Sequence, residues 1–208
     1  MLLDAMTYPG DASVLLWRLD EDAPQLLALC RESGIRVEDL LDVPPKRQRE
    51  QAATRLLLRQ AFGLPVTLSH TPKGAPCVDG IDVNVSITHT PQLVALAWSE
   101  DRAVGVDAEA IDRRQVLRVR HKFLNAGEQR FIDADDLVAH IIAWTAKEAV
   151  IKATRDNTIN WTDGICLEPF TVGDSCTGMV AHCNGKCYDL TSRLLAGHCV
   201  TLAMPHVG

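Results

Sequence analysis

The segment from residue 136 to residue 155 constrains the fold most, because it predicts a helix with no face suited to open solvent. Successive helical residues lie about 100° apart. On that spacing one stripe is apolar and would face a core, formed by Ile142, Ala146, Ala149, Val150 and Ala153. The opposite face mixes large apolar side chains with charges, and consists of Trp144, Lys147, Glu148, Ile151 and Lys152. We therefore expect this mixed face either to pack against another half of the protein or to line a site.

Length and composition indicate a globular protein. Of the 208 residues, 47% are hydrophobic and 23% are charged, which is typical of soluble domains. No apolar run approaches the roughly 20 residues that cross a bilayer, so we expect no membrane contact. Seven cysteines are an odd number in a chain too large to need disulfides, and the N-terminus does not resemble a signal peptide. Both features favour reduced thiols and a cytoplasmic location.

The charge pattern points to a small polyanion or an acidic protein as the partner. The net charge of −6 argues against nucleic-acid binding. Basic residues nevertheless crowd two segments, 46–59 and 113–122. Such clusters suit anionic ligands, although they equally suit solvated helix faces.

The predicted elements fall into two α+β halves. The first half contains a strand, two helices, a Pro- and Gly-rich loop and a strand pair, at 13–19, 24–34, 44–63, 70–80, 82–88 and 93–99. The second half contains a strand, three helices and further strands, at 104–109, 113–123, 126–133, 136–155 and most of the chain from Ile165. Asn184 and Gly185 predict a two-residue hairpin turn. We place the halves at residues 1–101 and 102–208, with a cleft between them.

Asp107 and Glu109 are the first candidates for chemistry. In a strand they project to one side, while Val106 and Ala108 project to the other. Two carboxylates on one face repel each other unless a cation lies between them. Oxygen ligands at this spacing suit Mg²⁺, which often combines carboxylates with substrate phosphates. Solvated carboxylates at a strand end remain the alternative.

Glu148 offers a third carboxylate, with Lys147 and Lys152 beside it as compact cations suited to phosphate. Alternatively, Glu148 and Lys152 form an ordinary helical ion pair worth about 0.3 kcal/mol. The ion pair alone does not explain why Trp144 and Ile151 share the same face.

Histidines and cysteines offer further candidates. His89, at the end of an apolar strand, could donate to a phosphate, serve as the base of a Ser/His hydrolase, or be structural; no G-x-S-x-G elbow supports the hydrolase. A zinc site could draw on His182, Cys183, Cys187, His198 and Cys199. The C-x₃-C spacing spans the predicted hairpin turn rather than a knuckle, and strand alternation separates the set, so we do not expect zinc.

Taken together, six segments resemble the 4′-phosphopantetheinyl transferase superfamily in its longer, two-half (Sfp-like) form. They are KRQREQAATRLLLR (46–59), PKGAP (72–76), VNVSITHT (83–90), VGVDAE (104–109), KFLNAGE (122–128) and WTAKEAVIK (144–152). The pairing of G-V-D-x-E with W-x-x-K-E-A-x-x-K is the most specific part of the resemblance.

The resemblance implies an enzyme that transfers the 4′-phosphopantetheine arm of coenzyme A to a serine of an apo acyl or peptidyl carrier protein, releasing 3′,5′-ADP. It implies an α+β fold of two similar halves related by a pseudo-twofold axis, with the active site in the cleft between them. Mg²⁺, or Mn²⁺ in its place, would be the metal. Because one chain would complete the site, we expect a monomer.

The resemblance also implies roles for individual residues. Asp107, Glu109 and Glu148 would hold the metal, and Glu148 is a candidate base for the serine. Glu128 would share the base role or bind near the metal, and Lys152 would lie at the diphosphate. The remaining residues would contact coenzyme A. His89 and the backbone of Thr88 or Thr90 would hold its phosphates, Arg47 and Arg55 would reach its nucleotide end, and Lys147 would lie nearer the outer edge of the helix. Trp144 and Ile151 would be the apolar part of the interface flanking the cleft.

One departure concerns the loop at 72–76, where the family usually has G-K-P and this chain has Gly74-Ala75-Pro76. The lysine is one residue earlier, at Lys73, and such a shift reverses side-chain direction in an extended segment. We keep Lys73 as a candidate coenzyme A contact.

The carrier would be acidic and is expected to dock near Arg113, Arg114 and Arg118. Two alternatives stay open. One is a metal-dependent hydrolase of nucleotide diphosphates, and the other is a protein that binds coenzyme A or a carrier without turnover.

Overall fold

The structure, a computed structural model, describes residues 1–8 and 12–207, with the backbone alone for residues 4–8. The chain forms two compact units, Met1–Asp101 and Arg102–Gly208. Each unit combines helices with an antiparallel sheet, so the expected mixture of α and β structure is confirmed. The pseudo-twofold relation between the halves stays a prediction. No helix in the described ranges is both long and apolar enough to cross a membrane.

The first unit is built on a four-stranded sheet. The unit as a whole has six strands in the described residues: β1 (Leu2–Tyr8), β2 (Ala12–Arg18), β3 (Leu68–His70), β4 (Pro76–Val78), β5 (Asn84–His89) and β6 (Leu93–Ser99). The sheet has the order β1-β2-β6-β5, and β3 pairs with β4 in a separate ribbon. The helices are α1 (Ala23–Glu32) and α2 (Pro45–Phe62), with a 3₁₀ turn at Glu38–Leu40 between them. Apolar side chains of both helices and of the sheet form one core.

The helices of the first unit begin and end where the sequence supplies their caps. Asp22 accepts a hydrogen bond from the backbone N–H of Gln25, and the Gln25 side chain accepts one from the backbone N–H of Asp22, both at 2.9 Å. This capping box satisfies two N–H groups that the helix leaves unpaired. Helix α2 starts at Pro45 and ends before Gly63, whose φ of 72° is left-handed. Both predicted helices are confirmed.

The second unit is a five-stranded sheet covered by one long helix. Its strands are β7 (Gly105–Ala110), β8 (Ile165–Leu167), β9 (Cys176–Cys183), β10 (Lys186–Leu195) and β11 (His198–Pro205), in the order β7-β11-β10-β9-β8. The helices are α3 (Gln115–Arg118), α4 (Glu128–Phe131) and α5 (Leu137–Thr154), with a 3₁₀ turn at Arg120–Lys122. Asn184 and Gly185 have φ angles of 50° and 73° between β9 and β10, as the predicted hairpin turn requires.

Helix α5 buries the apolar stripe that its sequence predicts. Asp136 caps the helix by accepting from the backbone N–H of Ala139 at 2.9 Å. Ala146, Ala149 and Val150 are completely buried. The stripe therefore belongs to the core of the second unit.

Three short features differ from the sequence-based expectation. Strand β1 has no counterpart among the elements that the sequence predicts. Strand β3 lies beside the expected loop 70–80, and β4 lies within it. Strands of three residues are too short to show alternation; a backbone bond between Thr71 and Ala75 closes their turn. The segment 113–123 is not one helix, because i→i+3 hydrogen bonds tighten it into separate turns. Phe123, at the end of this segment, is completely buried in the core.

Gly105 permits the close approach of β7 to α5, and this gives a first prediction. A β-carbon at Gly105 would lie 1.9 Å from the carbonyl oxygen of Ala149 and 2.6 Å from the backbone nitrogen of Ala153. Because the helix backbone would have to move, we expect Gly105→Ala to lower the free energy of unfolding by about 3 kcal/mol in chemical denaturation.

Gly178→Ala in β9 is the matched control. No atom lies within 4 Å of a β-carbon built at Gly178, so that change should stay within about 0.5 kcal/mol. Equal losses at the two positions would show that Gly105 is not needed for the approach.

Candidate functional site

Asp107 and Lys152 form the centre of a charged site between β7 and α5. Lys152 Nζ donates to Asp107 Oδ1 at 2.8 Å and to the carbonyl oxygen of Val106 at 2.9 Å. The side chain of Asp107 is 9% exposed and that of Lys152 is 28% exposed. The ammonium group contacts a carboxylate and the strand backbone together, which attaches the end of α5 to β7.

Strand pairing puts Asp107 and Glu109 on the face of the sheet that α5 covers. Asp107 lies opposite Thr201 of β11, and Glu109 lies opposite Cys199. The hydroxyl oxygens of Thr201 and of Thr145, which belongs to α5, are 2.6 Å apart. Since paired residues share a face, both carboxylates face α5, as strand alternation predicts.

Arg113 engages Glu109 and an aromatic ring at the same time. Its Nη1 donates to Oε1 of Glu109, and its guanidinium carbon lies 5.1 Å from the ring centroid of Trp144, within cation–π range. Trp144 also contacts Phe123 and Trp161, with centroids 5.2 and 4.8 Å apart. We call Phe123, Trp144 and Trp161 the aromatic cluster. Arg113 thus joins the charged site to the aromatic cluster.

Glu148 lies on α5 within the electrostatic reach of these groups. Burial raises the pKa of Glu148 to about 6, and the neighbouring carboxylates of Asp107 and Glu109 add to the rise. Lys152 and Arg113 oppose it. Burial also raises the pKa of Glu109, against the attraction of Arg113. A carboxyl group with a pKa near 6 can take up and release a proton near neutral pH.

The three carboxylates have the donor chemistry of a divalent-cation site. Asp107, Glu109 and Glu148 offer only oxygen ligands, which hard cations prefer, and their mutual repulsion contributes to the raised pKa of Glu148. Their side chains do not converge, however, since Asp107 turns to Lys152 and Glu109 to Arg113. Within the described residues, no group of three or more His, Cys, Asp or Glu is arranged to hold a metal. The set fits a cation by charge and chemistry, provided that Glu109 turns from Arg113.

Lys147 and Glu128 form an ion pair enclosed by the protein. Their side chains are 0% and 1% exposed, and Lys147 Nζ lies 2.7 Å from Oε2 of Glu128. The carbonyl oxygens of Phe123, Trp161 and Ile165 lie 2.6, 2.9 and 2.8 Å from the same nitrogen. The expectation that Lys147 lies at the outer edge of the helix is wrong, because its ammonium group is surrounded by these oxygens.

The buried pair connects loops to α5. Glu128 accepts hydrogen bonds from the backbone N–H groups of Asn125 and Leu167, both at 2.8 Å. Burial lowers the pKa of Lys147, and the charge of Glu128 opposes that shift. The base role of Glu128 stays a prediction; in the structure its carboxylate is directed at Lys147 and the backbone.

Trp144 and Ile151 have partners within the second unit. Ile151 is 7% exposed in the core of that unit, and Trp144 packs against the same core. Both side chains therefore have partners within their own unit, and their expected role at an interface flanking the cleft stays a prediction.

In the first unit, a cavity of about 1050 Å³ opens beside α2. Its walls come from α2, the segment 34–39, the β3–β4 ribbon and the end of β5. The charged lining has both signs, contributed by Arg36, Arg47, Arg55, Glu38, Asp39 and Glu50. The cavity thus brings together three of the predicted coenzyme A contacts, Arg47, Arg55 and His89.

Glu50 is buried beneath two of those contacts. Its Oε2 is 3.4 Å from Arg47 Nη1, and its Oε1 is 3.7 Å from His89 Nδ1 and 3.9 Å from Lys46 Nζ. The Glu50 side chain is 5% exposed, whereas those of Arg47 and His89 are 60% and 45% exposed. A buried carboxylate therefore orients two accessible donors on the cavity wall.

Arg55 is engaged within the first unit. Its two terminal nitrogens donate to Asp39 at 2.9 and 2.5 Å, and one of them also donates to the carbonyl oxygen of Arg36 at 2.5 Å. The hydrogen bonds from Arg55 lower the pKa of Asp39. Arg55 therefore attaches α2 to the segment before it, as well as lining the cavity.

Lys73 and Thr88 are placed differently from the lining residues. Lys73 is exposed in the turn between β3 and β4, and Gly74 and Pro76 line the cavity on either side of Ala75. Thr88 is buried, 6% exposed, and strand alternation in β5 directs it away from His89.

The remaining candidates either are exposed or have partners of their own. Arg114 and Arg118 are exposed at the start and end of α3, whereas Arg113 is held by Glu109. His182 pairs with Glu168 at 2.6 Å, and Cys199 contacts the Thr145 hydroxyl inside the core. The seven cysteines are free thiols.

The part of the chain that carries the charged site is also the part that matches a known family. Residues 103–200 match the 4′-phosphopantetheinyl transferase superfamily. The matched region begins just before β7 and includes Asp107, Glu109, Glu148 and Lys152. It covers slightly less than half of the 208 residues. No individual curated protein matches the chain.

Sequence reasoning missed the groups that hold the candidate residues in place. Glu50 could have been found, because it follows Lys46 and Arg47 at helical ion-pair spacing. The contact between Arg113 and Trp144 has no such signal, since the two residues are 31 positions apart. The resemblance to the superfamily assigns ligand roles to individual residues, but it does not identify the side chains that hold those residues in place.

The raised pKa of Glu148 gives a prediction about stability. A carboxyl whose pKa is higher in the folded state stabilises the fold below pH 4.5 and loses that contribution as pH rises through about 6. With a discount for partial exposure, Glu148→Gln should raise the free energy of unfolding by about 1 kcal/mol at pH 7.5. The gain should vanish at pH 4.5, as measured by urea denaturation at both pH values.

Asp174→Asn, at an exposed position of the second unit, is the control and should show no such pH-dependent gain. A Glu148→Gln variant that is less stable than the wild type at pH 7.5 would contradict the raised pKa.

The buried pair gives a second stability prediction. Lys147→Met and Glu128→Gln should each cost about 3 kcal/mol, because each leaves a partner buried without its counter-charge. The double variant should lose clearly less than the sum of the two. Urea denaturation of all four proteins measures the coupling.

The exposed pair of His182 and Glu168 supplies the comparison for this cycle, and Glu168→Gln should cost less than about 1 kcal/mol. Additive losses at Lys147 and Glu128 would mean that their charges do not stabilise each other.

Proposed function

We propose that the protein transfers the 4′-phosphopantetheine arm of coenzyme A to a serine of an apo acyl or peptidyl carrier protein, releasing 3′,5′-ADP. The observation that carries this proposal is the charged site itself. Lys152 of α5 contacts Asp107 of β7, and the charges of Asp107, Glu109 and Lys152 all act on Glu148. These residues lie within the region that matches the superfamily.

Glu148 is the proposed base. Removing a serine proton needs a carboxylate whose pKa lies near the working pH, and burial raises the pKa of Glu148 to about 6. A second requirement of phosphoryl transfer is a positive charge beside the transferred group. Lys152 supplies that charge, and its bond to the Val106 carbonyl orients it.

Asp107, Glu109 and Glu148 are the proposed ligands of Mg²⁺, or of Mn²⁺ in its place. The bound ion would neutralise charge on the diphosphate of coenzyme A. Asp107 is also held by Lys152, so it connects the metal ligands to the proposed diphosphate contact.

The cavity of the first unit is the proposed site for the nucleotide end of coenzyme A. Arg47 and His89 present accessible donors there, and Glu50 orients both. The backbone at Thr88, the exposed Lys73 and Arg55 remain proposed contacts. The hydrogen bonds from Arg55 to Asp39 would have to break before the Arg55 guanidinium could bind a phosphate.

The proposed carrier is an acidic protein that docks at Arg114 and Arg118, which are exposed next to the strand carrying Asp107. Exposed arginines attract an acidic partner and raise its association rate. Monomeric assembly of the Sfp-like, two-half type is part of the same proposal.

The experiment is the intact mass of apo carrier proteins after incubation with this protein, coenzyme A and Mg²⁺. We expect a gain of one phosphopantetheine arm, lost with EDTA and in Glu148→Ala but retained in the Asp174→Asn control. Free phosphopantetheine without carrier modification would favour the hydrolase. Coenzyme A binding that survives Glu148→Ala, without transfer to any carrier, would favour the binding protein.

A further inference from the structure

Arg113 is the one arginine of the 113–122 basic segment whose guanidinium the structure shows bonded to a proposed metal ligand. It donates to Glu109 and lies over the Trp144 ring, 5.1 Å from its centroid. The side chains of Arg113 and Glu109 are 35% and 22% exposed. The guanidinium is therefore oriented, yet it lies close enough to water to leave its position.

The two cations of the charged site are held in different ways. Lys152 binds both Asp107 and the carbonyl oxygen of Val106, so a backbone contact keeps it in place if Asp107 turns. Arg113 is held by a carboxylate and by the face of Trp144. Both attractions are modest at a partly exposed position.

A divalent ion and Arg113 cannot use Glu109 equally well at the same time. Both seek the same carboxylate oxygens, and two positive groups at one carboxylate repel each other. In the arrangement of the structure, the two carboxylates of β7 each already contact a protein cation. Arg113 and Lys152 thus supply part of the positive charge that a metal ion would bring to these carboxylates.

We propose that Arg113 is an internal counter-ion for Glu109 that competes with the divalent cation and leaves the Trp144 ring when the cation binds. The inference rests on the proposed metal role of Asp107, Glu109 and Glu148. Arg113 is on this account a positioning residue: it holds Glu109 when the cation is absent and tunes how tightly the cation binds.

The same competition links the cation to the basic segment at α3. A guanidinium released from Glu109 and Trp144 becomes an additional exposed cation next to Arg114. Arg113 therefore becomes available to an anionic group only in the cation-loaded state.

The test uses the full chain and Mn²⁺ as the probe, with free Mn²⁺ read by electron paramagnetic resonance. We expect the Mn²⁺ dissociation constant to fall about fivefold in Arg113→Gln, because the competitor is gone. Arg113→Lys keeps the charge but loses the planar guanidinium that pairs with Glu109 and stacks on Trp144. The Mn²⁺ dissociation constant of this variant should therefore fall as well. Arg114→Gln removes a neighbouring exposed charge and should change it by less than about 1.5-fold.

Tryptophan emission supplies a readout that does not depend on affinity. Saturating Mg²⁺ should shift the emission of the wild type, as the guanidinium leaves Trp144, and should not shift that of Arg113→Gln. Equal Mn²⁺ affinities for wild type and Arg113→Gln overturn the competition. Tighter binding by Arg113→Gln and Arg114→Gln alike, with Arg113→Lys unchanged, also overturns it, because unspecific charge repulsion then explains the effect.

Two further variants separate this inference from the proposed function. Glu109→Gln and Glu148→Gln should each weaken Mn²⁺ binding at least tenfold if these carboxylates are ligands. Unchanged binding in both variants overturns the metal site and the competition together. Loss of binding in both, with equal wild-type and Arg113→Gln affinities, leaves the metal site standing and overturns the role of Arg113 alone.

Discussion

The close contact between α5 and β7 is the constraint on which the charged site depends. Gly105 has no side chain to separate the two elements, so the helix backbone lies directly on the strand. Lys152 then reaches both Asp107 and the strand backbone. Because Glu148 lies one helical turn before Lys152, the same contact brings a third carboxylate to those of the strand. A wider spacing would leave these charges on separate elements without a common site.

Adjacent residues of α5 meet opposite environments, and this decides what their charges do. Lys147 is enclosed, and its ammonium group is satisfied by Glu128 and three carbonyl oxygens. Glu148 is only partly enclosed and faces two further carboxylates, which helps burial to raise its pKa. The Lys147 pair holds loops to the helix, whereas Glu148 keeps a charge whose state can change. Adjacent positions of one helix therefore have different roles: Lys147 stabilises the fold, and Glu148 belongs to the proposed active site.

In both units, accessible basic side chains lie next to carboxylates that are buried or paired. In the first unit, buried Glu50 orients Arg47 and His89 at the cavity wall. In the second, Arg113 and Lys152 compensate the carboxylates of β7. Partly buried like charges are costly unless a counter-charge is near. The side-chain cations thus keep each carboxylate group compatible with a folded protein before any ligand arrives.

Local patterns in the amino-acid sequence account for the periodic elements and the residue types of the site. The apolar stripe of α5, the alternation that puts Asp107 and Glu109 on one face, and the Asn184–Gly185 turn all follow from local geometry. Tertiary structure alone decided that Lys147 is enclosed and that Arg113 is held by Glu109 and Trp144. Local patterns fix which way a side chain leaves its own element. Only packing decides what it meets there, because burial and partner charges come from segments distant in the chain.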